Sequence, residues 1–98
     1  MNDAEKNELI ETSWKLHHCV ESYYLDHSAT KGENNWLDKQ RLLLADMAIH
    51  LFQTSVNPGD MDLEKLRNNL HAILTIADPF IPQAELKKVT ENLYDEHT

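Results

Sequence analysis

Six histidines among 98 residues are the first sign of chemistry in this sequence. Three side chains that commonly bind metals stand in a row at His17, His18 and Cys19. Neighbouring residues of a helix point about 100° apart, so these three side chains cannot easily reach one ion. No two histidines are spaced i, i+4, and the Glu-x-x-His motif of di-iron bundles is absent from the sequence. The run therefore does not predict a metal site.

One pair of residues does have metal-ligand spacing on a helix. Asp46 and His50 are four positions apart and share a helix face. Two ligands make a weak site, and a third ligand would have to come from another helix. We therefore expect an ordinary solvated Asp–His pair, and the sequence predicts neither a bound metal nor another cofactor.

The residue patterns of enzymatic catalysis are not found in the sequence. Cys19 is adjacent to His18, but adjacent side chains diverge on a helix. His71 is followed by Ala72, whereas histidine phosphotransfer domains carry a lysine and a glycine close after their histidine. No serine has the setting of a nucleophile elbow, and no glycine-rich loop is present to hold a phosphate. We expect a protein that is not an enzyme and has no catalytic residues.

Four helices are predicted to position these side chains. Glycines and prolines interrupt the chain at Lys31-Gly32, at 57–60 and at 78–82, and between them apolar residues recur every three or four positions. The pattern predicts helices over about 3–27 and 35–54, a third from Asp60 or Asp62, and a fourth from Pro79 or Pro82. Short connections favour antiparallel neighbours. We expect one all-α domain over residues 1–98, an antiparallel up-down bundle of about four helices, with homodimerisation as one way to complete it.

The first helix has apolar residues on two faces. Its predicted core stripe contains Leu9, Ser13, Leu16, Val20, Tyr23 and Tyr24. Trp14 and Leu25 lie on the opposite side, where a partner protein would cover them, and tryptophan is common in binding hot spots. Alternatively, the helix bends, or the 31–35 loop folds over Trp14. The predicted partner-binding residues are Trp14, His18, Glu21, Leu25 and Glu11.

The second helix is apolar on most of its circumference. Its polar stripe is narrow, and consists of Lys39, Asp46, His50 and Gln53. A helix of this kind is usually buried on several sides. It is therefore either the central element of a monomer or the seam of a homodimer, and we slightly favour the seam. The residues predicted for the dimer interface are Trp36, Leu42, Leu43, Ile49 and Phe52.

The net charge of −8, from 17 acidic and nine basic residues, limits the partners. It disfavours direct binding to nucleic acid and to anionic membranes, and it favours a partner protein with a basic surface. The single cysteine excludes an internal disulfide, which fits a reducing compartment. No signal peptide is recognisable, and the longest apolar run, at Leu42–Ala45, is too short to span a membrane. We expect a cytoplasmic protein.

These observations favour a small acidic regulator or adaptor that binds another protein through a helix face. Inhibitors, anti-activators, immunity-like proteins and chaperone-like proteins belong to this class. The first alternative is a nucleic-acid mimic that blocks a basic groove on a DNA- or RNA-binding protein. Its phosphate-like carboxylates would be Glu8, Glu11, Glu21 and Asp26. The second alternative is a structural subunit of a homo-oligomer.

Overall fold

The computed structural model describes residues 1–94 of the chain. The four α-helices are α1 (Asp3–Asp26), α2 (Trp36–Val56), α3 (Leu63–Ala77) and α4 (Leu86–Thr90). Two 3₁₀ turns, Asp78–Phe80 and Pro82–Ala84, lie between α3 and α4, and residues 1–94 contain no strand. The prediction of an all-α bundle of four helices is confirmed. Homodimerisation stays a prediction.

None of the helices within residues 1–94 has both the length and the apolar character needed to cross a bilayer.

The start of α1 is defined by a capping box. The Asn2 side chain accepts a hydrogen bond from the Glu5 amide at 2.8 Å, and the Glu5 carboxylate accepts one from the Asn2 amide at 3.2 Å. This arrangement satisfies two of the amides that a helix start leaves without partners. Asp3 and Glu5 also place negative charge in the first turn, where it is favourable.

The connection from α1 to α2 is held against both helices. Ala29 is only 1% exposed, and its carbonyl oxygen accepts a hydrogen bond from Lys39 Nζ at 3.4 Å. The same ammonium group lies 4.8 Å from the centre of the Tyr24 ring. The Thr30 hydroxyl and amide donate to the Glu33 carboxylate, and these hydrogen bonds lower the pKa of Glu33. The connection is therefore anchored at the end of α1.

The start of α3 is capped by Asp62, one of the two predicted candidates. Its carboxylate accepts a hydrogen bond from the Lys65 amide at 3.1 Å. We expect Asp62→Ala to lower the free energy of unfolding by about 1 kcal/mol, because the amide loses this partner. Asp60→Ala removes an equal charge two residues away and is the matched control. Urea denaturation measures both variants, and equal losses would contradict a capping role for Asp62.

The fourth helix starts later than predicted. Pro79 and Pro82 each lie in a 3₁₀ turn, and α4 begins only at Leu86. Between the second turn and the helix, Glu85 adopts the left-handed conformation with a φ of 52°. The prediction that α4 starts at one of these prolines was therefore wrong. Proline suits the first turn of a 3₁₀ helix as well as that of an α-helix, so it does not distinguish them.

The helices form an open layer with α2 in the middle. The chain measures 45 × 39 × 16 Å, and α2 packs against α1 on one flank and against α3 on the other. A helix with its side chains is about 10–12 Å wide, so the layer is little more than one helix thick. Accordingly, Ala29 is the one apolar residue within 1–94 that is buried, and the larger apolar side chains are half-buried or exposed. Both faces of the layer are available to other molecules.

The orientation of α1 differs from the prediction. Two members of the predicted core stripe, Leu16 and Tyr23, are 55% and 65% exposed. The less exposed residues of α1 include Ile10, Ser13 and His17. The reason is that α2 turns Asp46 and His50 of its polar stripe toward α1, where His17 is a better neighbour than a large apolar side chain. The predicted stripe of α1 was therefore partly wrong.

Candidate functional site

The centre of the α1–α2 interface is polar. Asp46 is 7% exposed and Ser13 is 2% exposed, which makes them two of the three buried polar residues within 1–94. Asp46 and His50 were predicted to be an ordinary solvated pair, and this is wrong for Asp46. Because α2 directs this face toward α1, His17 of α1 joins the pair from the opposite side.

His17, Asp46 and His50 form a compact cluster, which we call the His–Asp–His cluster. Nδ1 of His17 lies 2.5 Å from Oδ1 of Asp46, and Nε2 of His50 lies 3.5 Å from Oδ2 of Asp46. The two imidazole rings have their centres 4.7 Å apart. One ligand atom from each of the three residues lies within 4.8 Å of the other two. Two imidazole nitrogens and a carboxylate oxygen are therefore close neighbours.

The outward nitrogen of each imidazole has a partner of its own. Nε2 of His17 lies 3.0 Å from a carboxylate oxygen of Glu21, one helical turn further along α1. Nδ1 of His50 lies 2.9 Å from the side-chain oxygen of Gln53. Each imidazole therefore has an oxygen atom at both of its ring nitrogens. These contacts fix the orientation of both rings.

Trp14 covers the cluster at its edge. Its ring meets His17 edge-on at 5.4 Å between centres and meets His50 at 5.9 Å. It is nevertheless 45% exposed. The α1–α2 connection does not cover it, because that connection is anchored at Tyr24 and Lys39, about 15 Å further along α1. Trp14 is therefore both a wall of the cluster and an exposed aromatic surface.

The other predicted partner-binding residues lie on the exposed side of α1. Leu25 is 69% exposed, the Glu21 side chain is 49% exposed, and Glu11 and His18 are exposed as well. The His18 ring centre lies 5.2 Å from that of His17, but His18 is not part of the cluster. Glu21 is distinguished from Glu11 by its contact with His17.

The five predicted interface residues of α2 do not form one surface. Trp36, Leu42, Leu43 and Ile49 are half-buried, and Phe52 is 40% exposed. Leu43 lines a hollow with Tyr24 and Leu25, whereas Ile49 and Phe52 line a different groove. Leu43 and Phe52 are nine positions apart, which places them on opposite sides of a helix. A single seam that uses all five residues is therefore not available.

Ile49 and Phe52 of α2 line an apolar groove. Leu9 and Leu16 of α1 form its other wall, and the small residues Ser13 and Ala48 also line it. We call this surface the α1/α2 groove. It lies on the face opposite the Leu43 hollow, and its existence was not predicted because Leu9 and Leu16 were assigned to the core.

No family model matches this chain, and neither the curated proteins nor the solved structures contain a significant match to it.

Proposed function

We propose that this protein is a small acidic regulator or adaptor that binds an amphipathic helix of a basic partner protein in the α1/α2 groove. The observation that carries the proposal is an apolar groove left open on a layer one helix thick. Leu9, Leu16 and Phe52 are between 39% and 55% exposed along it. Compact domains usually consist of two packed layers, and a partner helix would supply part of the second.

The charge of the chain supports a basic partner over a second copy. Glu5 lies one turn before Leu9 on the same side of α1, and α1 contains six acidic and two basic residues. The whole chain has a net charge of −8, so two copies repel each other at long range while a basic helix is attracted. A helix that presents leucine-like side chains to the groove and lysine or arginine at its borders fits both features.

The predicted Trp14 surface offers a second position for a partner. Trp14, Leu25 and the Leu43 hollow lie on the other face of the layer from the groove. A single helix cannot contact both faces. If the partner binds there, Trp14 supplies the aromatic anchor and Glu11 and Glu21 supply the acidic border.

Two designed helical peptides test the proposal. Both carry the same leucine stripe, and the remaining face is lysine in one peptide and glutamate in the other. We expect the protein to bind the lysine peptide, with fluorescence anisotropy as the measurement. Leu16→Glu should weaken this binding at least about tenfold, because it places a charge in the groove.

Leu25→Glu is the matched control, because it adds the same charge at an exposed leucine of the same helix. Attraction by charge alone would leave both variants binding at least as well as the original protein. Failure to bind the lysine peptide, or equal losses in the two variants, would refute the groove as the binding surface. If Trp14→Ala weakens peptide binding and Leu16→Glu does not, the peptide binds at the Trp14 surface and not in the groove.

The alternative functions give different results in two simple measurements. A nucleic-acid mimic that uses Glu8, Glu11, Glu21 and Asp26 would lose partner affinity more steeply as salt is added than a groove where apolar contacts supply part of the binding. A structural subunit would form a stable dimer of the 11.4 kDa chain in light scattering. A dimer that buries the groove would contradict our proposal.

We also propose a cytoplasmic location, on the basis of the single cysteine.

A further inference from the structure

We propose that the His–Asp–His cluster binds a divalent transition-metal ion of the Zn²⁺ type and that this ion links α1 to α2. The ligands would be Nδ1 of His17, the carboxylate of Asp46 and Nε2 of His50. The proposal is independent of the groove, which lies on the other face of the layer.

The hydrogen-bond pattern of the cluster can accommodate a cation at its centre. Each imidazole has an oxygen atom at both of its nitrogens, because the outward nitrogens face Glu21 and Gln53 and the inward nitrogens face Asp46. A neutral imidazole carries one proton, so it donates to only one of its two oxygen neighbours and keeps a lone pair on the other nitrogen. A single proton relieves only one of these two contacts. One metal ion accepts electron pairs from all three groups at once.

No other cation serves Asp46 within residues 1–94. Its ion-pair partners there are His17 and His50 alone, with no lysine or arginine. Lys39, on the same polar stripe of α2, is held at the Ala29 carbonyl and the Tyr24 ring instead. The side chains of His17 and Asp46 are only 12% and 9% exposed, so solvent compensates little of a buried carboxylate charge.

Two imidazoles and one carboxylate form a ligand set that Zn²⁺ and similar ions use in proteins. Ligand bonds of about 2.0–2.2 Å separate neighbouring ligand atoms by about 3.3 Å in a tetrahedral site. The His50–Asp46 contact of 3.5 Å already has this spacing, and the His17–Asp46 contact of 2.5 Å would open by about 1 Å. The outward contact from His17 to Glu21 is the carboxylate–histidine arrangement that commonly orients metal ligands.

Three protein ligands leave a coordination position open on the side of His50. The His50 side chain is 26% exposed and lies at the edge of a hollow that Trp14 and Asn69 also line. Water, or a donor atom from a bound molecule, would occupy that position.

Zn²⁺ titration of metal-stripped protein tests the site. We expect isothermal titration calorimetry to give one Zn²⁺ per chain and Zn²⁺ to raise the melting temperature. With Co²⁺ in place of Zn²⁺, the visible absorption should be that of a tetrahedral or five-coordinate site. His50→Ala and Asp46→Asn should each weaken Zn²⁺ binding by at least about tenfold, since each removes a ligand.

His18→Ala is the matched control, because His18 is a neighbouring exposed histidine outside the cluster. It should bind Zn²⁺ as the original protein does, and so should the groove variant Leu16→Glu. Glu21→Gln keeps all three ligands and should weaken binding by about 10–100-fold through the orientation of His17. Circular dichroism of every metal-free variant checks that it is folded.

The absence of Zn²⁺ binding in the original protein would refute the proposal and would mean that protons alone hold the cluster. An equal loss in His18→Ala and His50→Ala would also refute it, because Zn²⁺ would then bind to exposed histidines. A failure of the peptide experiment at the groove would leave the metal result unaffected.

Discussion

Asp46→Ala is expected to lower the free energy of unfolding of the metal-free protein by about 3 kcal/mol. The Asp46 carboxylate is the shared partner of His17 and His50, and Asp46 is only 7% exposed. Its removal leaves two inward nitrogens without a partner between packed helices, and it leaves a cavity. Urea denaturation followed by circular dichroism, with a chelator present, measures the loss.

Two further variants separate the possible causes of this loss. Asp38→Ala removes an exposed carboxylate from the same helix, and we expect a change below about 1 kcal/mol. Replacing His17, Asp46 and His50 together by leucine removes every buried polar group of the cluster and should restore much of the stability. If Asp46→Ala and Asp38→Ala have the same free energy of unfolding, the cluster does not stabilise the fold.

Ser13→Leu is expected to destabilise the protein by about 2 kcal/mol. Ser13 is 2% exposed where α1 meets α2, and its hydroxyl donates to the Ile10 carbonyl at 2.6 Å. A small side chain there lets the two helices approach each other. A leucine would push them apart and would disturb the neighbouring contact between His17 and Asp46. Thermal unfolding measures the effect.

Substitutions at Ser13 itself and at another serine of α1 provide the controls. Ser13→Ala keeps the side chain small and should change the stability by less than about 1 kcal/mol. Ser22→Leu introduces the same leucine at an exposed position of α1 and should be nearly neutral. If Ser13→Leu melts at the same temperature as Ser22→Leu, close packing at Ser13 is not important.

The positions of the first three helices could be predicted because local signals determine them. Asn35 lies at the N-cap position of α2, although its side chain makes no capping hydrogen bond, and Asp62 supplies the cap of α3. The rotation of α1 and the start of α4 could not be predicted in the same way. The rotation depends on which side of α2 faces α1, and α4 starts after a left-handed Glu85, for which the sequence carries no glycine or asparagine signal.

The sequence identified two members of the His–Asp–His cluster and missed the third. Asp46 and His50 have ligand spacing on one helix, but His17 comes from another helix, 29 positions earlier in the chain than Asp46. A signal was present in the polar stripe of α2. A helix that is otherwise apolar is expected to be enclosed, so its polar side chains need polar partners on a neighbouring helix. His17 of α1 fulfils that need through its contacts with Asp46 and His50.

The flat arrangement of the helices also determines how the chain comes apart. Within residues 1–94, α1 packs mainly against α2, whereas α3 packs against α2 and the short helix α4. An outer helix can detach while the remaining pair keeps its own contacts, so local opening costs less than global unfolding. Any molecule that binds to α1 and α2 at the same time makes the detachment of α1 from α2 less favourable. Binding of such a molecule would then slow amide hydrogen exchange along the whole of α1, including at residues that do not contact it.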